Sequence, residues 1–184
     1  MTDISDTILV KDAQDGNVHA VGALYDRYQP RIYKYVRTRV YDHHRAQDLT
    51  GEVFLLMIKN LSSYRDMGVP FSAWLYRIAH NLLINHFHKE NRAEWVPISH
   101  AENSHHRISN PSVVLEQQLE LEWLLKALEK LDEIQREVII LRFLADLSLK
   151  EVAHVLNKTV SAVKAIQHRG LLALKIALSE MAKE

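Results

Sequence analysis

The segment covering residues 147–174 constrains the fold of this chain more than any other, because helix start and stop signals follow one another closely there. Ser148 and Glu151 have the S-x-x-E spacing of a capping box, which marks the beginning of a helix. Asn157 follows a short apolar stretch and tolerates the left-handed backbone that ends helices. Thr159 is a residue type that caps a second helix. The spacing therefore predicts two helices joined by a tight turn, a helix-turn-helix.

The second helix of this motif has an apolar face and a basic face. We expect its apolar side chains to face the core: Val163, Ile166, Leu171 and Leu174. No acidic residue occurs between Lys158 and Lys175, and a capped helix without acidic residues suits the DNA major groove, which admits one helix. The candidate DNA contacts on this helix are Thr159, Ser161, Lys164, His168 and Arg169. A basic face that serves solubility alone is the alternative interpretation.

Composition favours an all-α protein with a packed core. Hydrophobic residues make up 47% of the 184 residues, and only 5 glycines and 4 prolines occur among them. The chain has no cysteine, which excludes disulfides, thiolate metal sites and thiol nucleophiles and fits a reducing cytoplasm. Its formal net charge of zero weighs against a protein that coats nucleic acid non-specifically.

The N-terminal segment is acidic and lacks the long apolar run of a signal peptide or a membrane anchor. We therefore expect a cytoplasmic protein without membrane insertion. The acidic start itself is expected to be disordered, as chain termini commonly are, or to take part in control of the protein.

Apolar periodicity and helix breakers divide the chain into two small helical domains, residues 1–92 and 112–184. Residues 93–111 contain two prolines and three histidines and show no periodicity, so they are predicted to be a flexible linker. A linker of that length reaches roughly 60 Å when extended and about 25 Å as a coil. The two domains could then bind at separate places.

Each domain is predicted to contain three or more helices. The first domain should hold a helix interrupted at Pro30, a second helix over residues 47–58 and a third over residues 71–91. The second domain should begin with an amphipathic helix over residues 112–131, continue with one over residues 134–144 and end with the helix-turn-helix.

Three blocks of the chain match one protein family in order and spacing. The blocks are residues 24–28 with residues 47–54, then residues 70–81, then residues 131–164. In turn they resemble regions 2.1 to 2.2, regions 2.3 to 2.4 and region 4 of the extracytoplasmic-function (ECF) sigma factors. These are the small two-domain members of the bacterial sigma-70 family, and the resemblance covers roughly residues 17–178.

This resemblance implies a subunit that binds core RNA polymerase and directs it to promoter DNA. It implies no catalysis, cofactor, metal or small-molecule substrate of the chain's own. The first domain would recognise the promoter −10 element and the second domain the −35 element. Family members are often sequestered by an anti-sigma factor, so such a partner is expected as well.

The resemblance also implies candidate site residues in the first domain. The helix over residues 47–58 would bind a coiled coil of the polymerase's largest subunit. Its contacts would be two carboxylates and three apolar side chains: Asp48 and Glu52, with Phe54, Leu55 and Ile58. Recognition of the −10 element, where a base must be unstacked and held, would use Tyr64, Arg65, Arg77, His80, Asn81, Asn85 and His88. Without the resemblance, the acidic pair is equally typical of a solvated helix face.

Four positions depart from the family pattern. Gly51 stands where the family usually has a polar helix former, and glycine inside a helix costs about 1 kcal/mol. Asn85 stands where aspartate is frequent and His88 where arginine is frequent. Ile166 replaces an arginine that many relatives carry on the second helix of the motif. These departures bear on the promoter sequence rather than on the class of function.

Three other interpretations compete with this one. A helix-turn-helix regulator that binds an operator as a dimer would bind palindromic duplex tightly without polymerase. A protein–protein adaptor of similar shape would be inactive in transcription. A helical enzyme has no support, since the chain carries no nucleophile motif, phosphate loop or HExxH pattern. His80, His86 and His88 are separated by steps that do not stack on one helix face, so no metal site is predicted.

Overall fold

The computed structural model describes residues 4–66, 68–93, 123–124 and 126–182. All regular secondary structure in these ranges is helical, which confirms the prediction of an all-α fold. The helices of the N-terminal unit are α1 (Asp6–Gln14), α2 (Val18–Arg37), α3 (His43–Asn60), a short 3-10 helix (Leu61–Ser63) and α4 (Phe71–Ala93). The helices of the C-terminal unit are α5 (Glu133–Ile139), a π-helical turn (Ile140–Leu144), α6 (Leu149–Val155) and α7 (Val160–Met181).

Part of the predicted organisation falls outside these ranges. The linker from residue 94 onwards, with His100, His105 and His106, lies outside the described residues, as does most of the predicted helix over residues 112–131. At the end of that predicted helix, residues 126–129 are helical, and Leu128 is buried.

The acidic N-terminal segment forms α1 from Asp6 onwards, so the expected disordered start is wrong for these residues. Two polar contacts fix α1 to the rest of the unit. The Asp6 carboxylate accepts hydrogen bonds from Arg27 and Tyr28 of α2. At the other end, the Gln14 side-chain amide donates to the Leu61 and Tyr64 carbonyls, at 2.8 and 2.9 Å.

Helix α2 continues through Pro30, so the predicted interruption is also wrong. Proline removes one backbone hydrogen bond of a helix and usually bends or breaks it. Here the segments on both sides of Pro30 pack into the same core, because Tyr28 and Ile32 are almost completely buried. Burial of these side chains offsets the lost hydrogen bond.

The helix-turn-helix has the predicted caps and turn. Ser148 Oγ accepts from the Glu151 amide at 3.3 Å, while the Glu151 carboxylate accepts from the Ser148 amide at 2.6 Å. The backbone of Asn157 is left-handed, with a φ of 51°. Thr159 Oγ1 accepts from the Ala162 amide at 3.2 Å and caps α7. The local sequence signals therefore correspond to real capping interactions.

Helix α7 packs against α5 through a face slightly different from the one predicted. Val163 and Ile166 are buried as expected, and Gly170 joins them at a close approach to Ile139. Leu171 was expected in the core, but 40% of its surface is exposed. One residue along a helix turns the side chain by about 100°, so the position after Gly170 faces away from α5.

We predict that Gly51→Ala raises the free energy of unfolding by about 0.5–1 kcal/mol, because alanine restricts the unfolded chain and favours the helix. A Cβ at Gly51, which is exposed within α3, meets no atom within 4 Å. Gly170→Ala is the matched control, since its Cβ would lie only 3.2 Å from Ile139 Cγ1. Urea unfolding followed by circular dichroism measures both; a loss at Gly51, or an equal gain at both positions, would contradict the packing described.

Candidate nucleic-acid interface

The exposed face of α7 carries the predicted polar and basic side chains. Ser161, Lys164 and His168 are exposed and follow one another at steps of three and four residues, so they share one helix face. Arg169 is also exposed, on the adjoining face. Thr159 is exposed too, but its hydroxyl oxygen is engaged in capping the helix. The face therefore offers one hydroxyl and three basic side chains to a ligand.

An arginine that the sequence analysis did not single out holds this helix in place. Arg142 of the π-helical turn donates to the Gln167 side chain of α7 at 3.0 Å and to the Leu147 carbonyl before α6. It thereby connects both helices of the helix-turn-helix to the segment before them. In the sequence, Arg142 is a charged residue within an apolar stretch, and that pattern does not indicate which residues it contacts.

Helix α4 is enclosed on most of its circumference, and a narrow strip of it is exposed. Its buried positions include Phe71, Leu75 and Leu83, while three exposed side chains follow at steps of four and three residues: Asn81, Asn85 and His88. These three belong to the predicted −10 contacts. The structure brings them together on one face of α4.

A groove of about 450 Å³ runs beside this strip, between α3 and α4. Asn81 and Asn85 line it from α4, and Glu52 lines it from α3. Two predicted DNA contacts of α4 and one predicted polymerase contact of α3 therefore line the same groove. The groove contains both amide and carboxylate groups.

In the loop before α4, one residue predicted to contact DNA is buried instead. Tyr64 is 8% exposed, its ring packs against Phe71 and Trp74, and its hydroxyl donates to the Val69 carbonyl at 3.0 Å. Its side chain belongs to the core, where it cannot stack on a base in this arrangement. Arg65 beside it is exposed, although its guanidinium donates to the Ser62 carbonyl at 2.7 Å.

His80 and Arg77 of α4 face the C-terminal unit instead of the solvent. His80 Nδ1 lies 3.0 Å from the Glu137 carboxylate of α5. Arg77 is half-buried near α6, where burial and the charge of Arg77 lower the pKa of His154. Neither side chain is part of the exposed strip, so the prediction that they face DNA does not hold for this arrangement of the two units.

The surface of α3 carries four of the five predicted polymerase contacts. Asp48 and Glu52 are exposed, and Leu55 and Ile58 are 68% and 52% exposed. Phe54 is the exception, because it is 3% exposed and its ring packs edge-on against Tyr25 at 4.7 Å. The prediction placed Phe54 on the wrong face of the helix.

Within the residues that the structure describes, no group of three or more His, Asp or Glu side chains is arranged to hold a metal ion. No helix among them combines the length and apolarity needed to cross a membrane.

Comparison with known families matches both units. Residues 24–93 match the family model for Sigma-70 region 2, and residues 127–175 match that for Sigma-70, region 4. Over 180 residues the chain is 31% identical to the ECF RNA polymerase sigma factor SigW of Bacillus subtilis, covering 94% of this chain and 96% of SigW. The chain is an ECF sigma factor of the sigma-70 family. It is also 34% identical over 175 residues to the ECF RNA polymerase sigma factor BldN of Streptomyces coelicolor, covering 95% of this chain and 66% of BldN.

Solved structures have the same fold as this sigma factor. CnrH, in complex with the cytosolic domain of CnrY, superposes with a TM-score of 0.73 at 27% identity, covering 95% of this chain and 97% of CnrH. The sigma factor RpoE of Bartonella quintana, in complex with the anti-sigma factor NepR, gives a TM-score of 0.69 at 22% identity, covering 84% of this chain and 94% of RpoE. The second likeness concerns the fold alone.

In this sigma factor a buried ionic cluster connects the region 2 match to the region 4 match. Glu137 of α5 is 1% exposed, and its carboxylate pairs with Arg39, whose side chain is 8% exposed. The carboxylate also accepts hydrogen bonds from the Tyr35 hydroxyl and from His80 Nδ1. No local sequence pattern indicates this cluster, because Tyr35 and Glu137 are 102 positions apart.

The cluster shifts the acid–base properties of its members. Burial alone would raise the pKa of Glu137, but the hydrogen bond from His80 and the charge of Arg39 outweigh burial and lower that pKa. Burial and the adjacent Glu137 charge raise the pKa of Tyr35 well above its usual range. Glu137 is therefore ionised and Tyr35 neutral near neutral pH.

We predict that acid removes the stability contributed by Glu137. Because folding lowers the pKa of this carboxyl, its contribution is present above the unfolded pKa and is lost as the pH falls through the folded pKa. Each unit of pKa difference corresponds to about 1.4 kcal/mol. Urea unfolding over a pH series should show a smaller acid-induced loss in Glu137→Gln than in the unsubstituted protein. Glu129→Gln is the control, since Glu129 is an exposed carboxylate outside the cluster; identical pH dependence in all three proteins would contradict the prediction.

Proposed function

We propose that this sigma factor binds core RNA polymerase through α3 and recognises two promoter elements through α4 and α7. The observation that carries the proposal is the pair of separate exposed faces, the amide-rich strip of α4 and the basic face of α7, in the region 2 and region 4 matches. The protein itself performs no catalysis, and it acts in the cytoplasm where polymerase works.

The basic face of α7 contacts the −35 element in the major groove. Lys164 and His168 contact base edges or phosphates. The Ser161 hydroxyl, near the helix N-terminus, donates a hydrogen bond to the DNA backbone. Thr159 contributes less directly, since its hydroxyl oxygen caps the helix. Arg169, on the adjoining face, contacts a backbone phosphate at the edge of the major groove.

The exposed strip of α4 contacts the −10 element. Asn81 and Asn85 present amides that can donate to and accept from an adenine edge, and His88 extends the strip by one turn. Their neighbouring groove between α3 and α4 has room for part of an unstacked strand. Arg65 lies in the loop before α4 and supplies positive charge near the same DNA.

The polymerase contact on α3 combines charge with apolar area. Asp48 and Glu52 present carboxylates to a basic partner helix, and the exposed Leu55 and Ile58 supply neighbouring apolar area that such a partner can bury. In such a combination, the charges speed the encounter with polymerase, and burial of the apolar side chains supplies affinity for it.

A protein inhibitor of the anti-sigma type is the remaining proposed partner. CnrH, which shares this fold at 27% identity, was solved with the cytosolic domain of CnrY bound to it. The exposed apolar side chains of this chain, including Phe143, Leu172 and Ile176, provide surface for a bound segment.

We predict that Lys164→Ala reduces run-off transcripts from a promoter used by the unsubstituted protein by roughly tenfold, because one groove contact contributes about 1–3 kcal/mol. Lys126→Ala is the matched control, as it removes an exposed lysine from the same unit but from another helix. Equal transcript levels for the two variants would argue against α7 as the helix that binds the upstream element.

We also predict that Leu55→Ala weakens binding to core polymerase by about tenfold, the effect of losing roughly 1–2 kcal/mol at a central apolar contact. Leu172→Ala is the control, because it truncates an exposed leucine, 52% exposed, on α7. Titration of labelled protein with core polymerase measures both affinities. An unchanged affinity of Leu55→Ala would place the polymerase contact elsewhere.

A further inference from the structure

The junction of α2 and α3 carries a concentration of positive charge that none of the surfaces described above uses. Residues 31–47 contain five lysine or arginine side chains and a single acidic one, although the whole chain has a formal net charge of zero. Lys34, His43, His44 and Arg45 of this segment are exposed. A local excess of cations in a protein without net charge indicates a surface for an anionic partner.

The turn between these helices, residues 37–45, is held in one shape by its own contacts. The Arg37 guanidinium donates to two backbone carbonyls of the turn, one of them at 2.9 Å. The Tyr33 hydroxyl and His43 Nδ1 share a hydrogen bond of 2.6 Å. The side chain of Asp42, the acidic residue of the segment, accepts from the Arg45 amide at 2.7 Å and caps α3. Because the backbone is already fixed, a ligand of this turn orders little of the chain when it binds.

The α2–α3 turn lies at one end of the groove between α3 and α4. These two helices are consecutive, are joined by residues 61–70 and pack against each other, so they run antiparallel and the start of α3 lies beside the end of α4. Arg45 precedes Glu52 by seven residues, or two helical turns, and therefore lies on the side of α3 that lines the groove. Seven residues span about 10 Å. Arg45 is thus about that far beyond Glu52, at the end of the groove where α4 exposes His88.

The groove itself does not compensate the charge of a DNA backbone. Among the described side chains that line it, none is a lysine or an arginine, and Glu52 contributes a carboxylate. Phosphates that accompany bases at Asn81 and Asn85 therefore need cations nearby, since neutralised phosphates supply much of the affinity for DNA. With about 3.4 Å of axis per phosphate of one strand, 10 Å corresponds to roughly three nucleotides. The α2–α3 turn offers cations within that reach.

We propose that the α2–α3 turn binds backbone phosphates of the promoter next to the −10 element, with Arg45 as the principal contact and His44 beside it. The inference rests on the proposed function, because the groove beside Asn81 and Asn85 leads the DNA to the turn. Arg45 donates to a phosphate through its guanidinium, and His44 donates through a ring N–H. Such contacts fix the register of the DNA on the protein without reading its sequence.

The salt dependence of promoter binding by the complex of this chain with core polymerase tests the contact. Arg45→Gln keeps the cap of α3, which uses the backbone amide of residue 45. Removal of one phosphate contact should reduce the slope of log affinity against log salt concentration by about 0.9. Between about 50 and 200 mM salt, the variant should then lose about 3.5-fold less affinity than the unsubstituted protein. Lys59→Gln is the matched control, because it removes an exposed cation from the other end of α3 and should leave the slope unchanged.

Two further measurements separate a phosphate contact from a base contact and locate it. Arg45→Gln should weaken binding to a promoter and to its single-base variants in the −10 element by the same factor, whereas Asn85→Ala should change the preference among them. The chain has no cysteine, so Tyr41→Cys, at a side chain of the turn that is 64% exposed, provides a unique thiol. An iron chelate attached there should cleave the DNA next to the −10 element in the complex with core polymerase.

Other partners of the turn would give different results. An unchanged salt slope in Arg45→Gln, or no DNA cleavage from Tyr41→Cys, would overturn the phosphate contact. Weaker binding of Arg45→Gln to core polymerase without DNA would assign the turn to polymerase instead. Arg45-dependent binding of the chain to phosphatidylglycerol vesicles, with an unchanged salt slope, would assign it to a membrane surface.

Failure of the proposed function would look different from failure of the contact. In that case the unsubstituted complex with core polymerase would not bind promoter DNA at either salt concentration, and the phosphate contact would be overturned with it. If the unsubstituted complex binds the promoter and Arg45→Gln keeps the full slope, the contact alone is wrong.

Discussion

The packing around α4 is the constraint on which the rest of the structure depends. Helices α1, α2 and α3 contact α4 from the N-terminal unit, and α6 contacts it from the C-terminal unit. Ala73, Leu75, Tyr76 and Ala79 are almost completely buried, so these positions admit little change. What α4 leaves exposed is the strip of Asn81, Asn85 and His88, and the same packing turns His80 towards Glu137. Core formation and the location of the proposed DNA-contact strip therefore depend on the same helix.

The sequence predicted best what is determined locally. The capping box of Ser148 and Glu151, the left-handed Asn157 and the Thr159 cap depend on residues within a few positions of one another, and all were found as predicted. The all-α fold follows from the apolar periodicity in the same way. The predicted polar and basic side chains of α7 lie on its exposed surface.

Prediction failed where distant segments decide the outcome. Phe54 and Tyr64 have side chains suited to a contact surface, yet both are buried because Tyr25 and Trp74 cover them. Helix α2 continues through Pro30 because side chains on both sides of the proline are buried in the core. Rules for local sequence, which treat proline as a helix breaker, do not include such tertiary packing. The Glu137 cluster joins residues about one hundred positions apart, and periodicity gives no information on such pairing.

As an ECF sigma factor, this chain is expected to direct core RNA polymerase to promoters with two separate elements. The most direct measurement is sequencing of RNA 5′ ends made by purified core polymerase from genomic DNA, with and without the protein. We expect new transcripts that share two upstream sequence elements, whose spacing matches the −35 and −10 positions. Absence of new transcripts, together with absence of binding to core polymerase, would contradict this function.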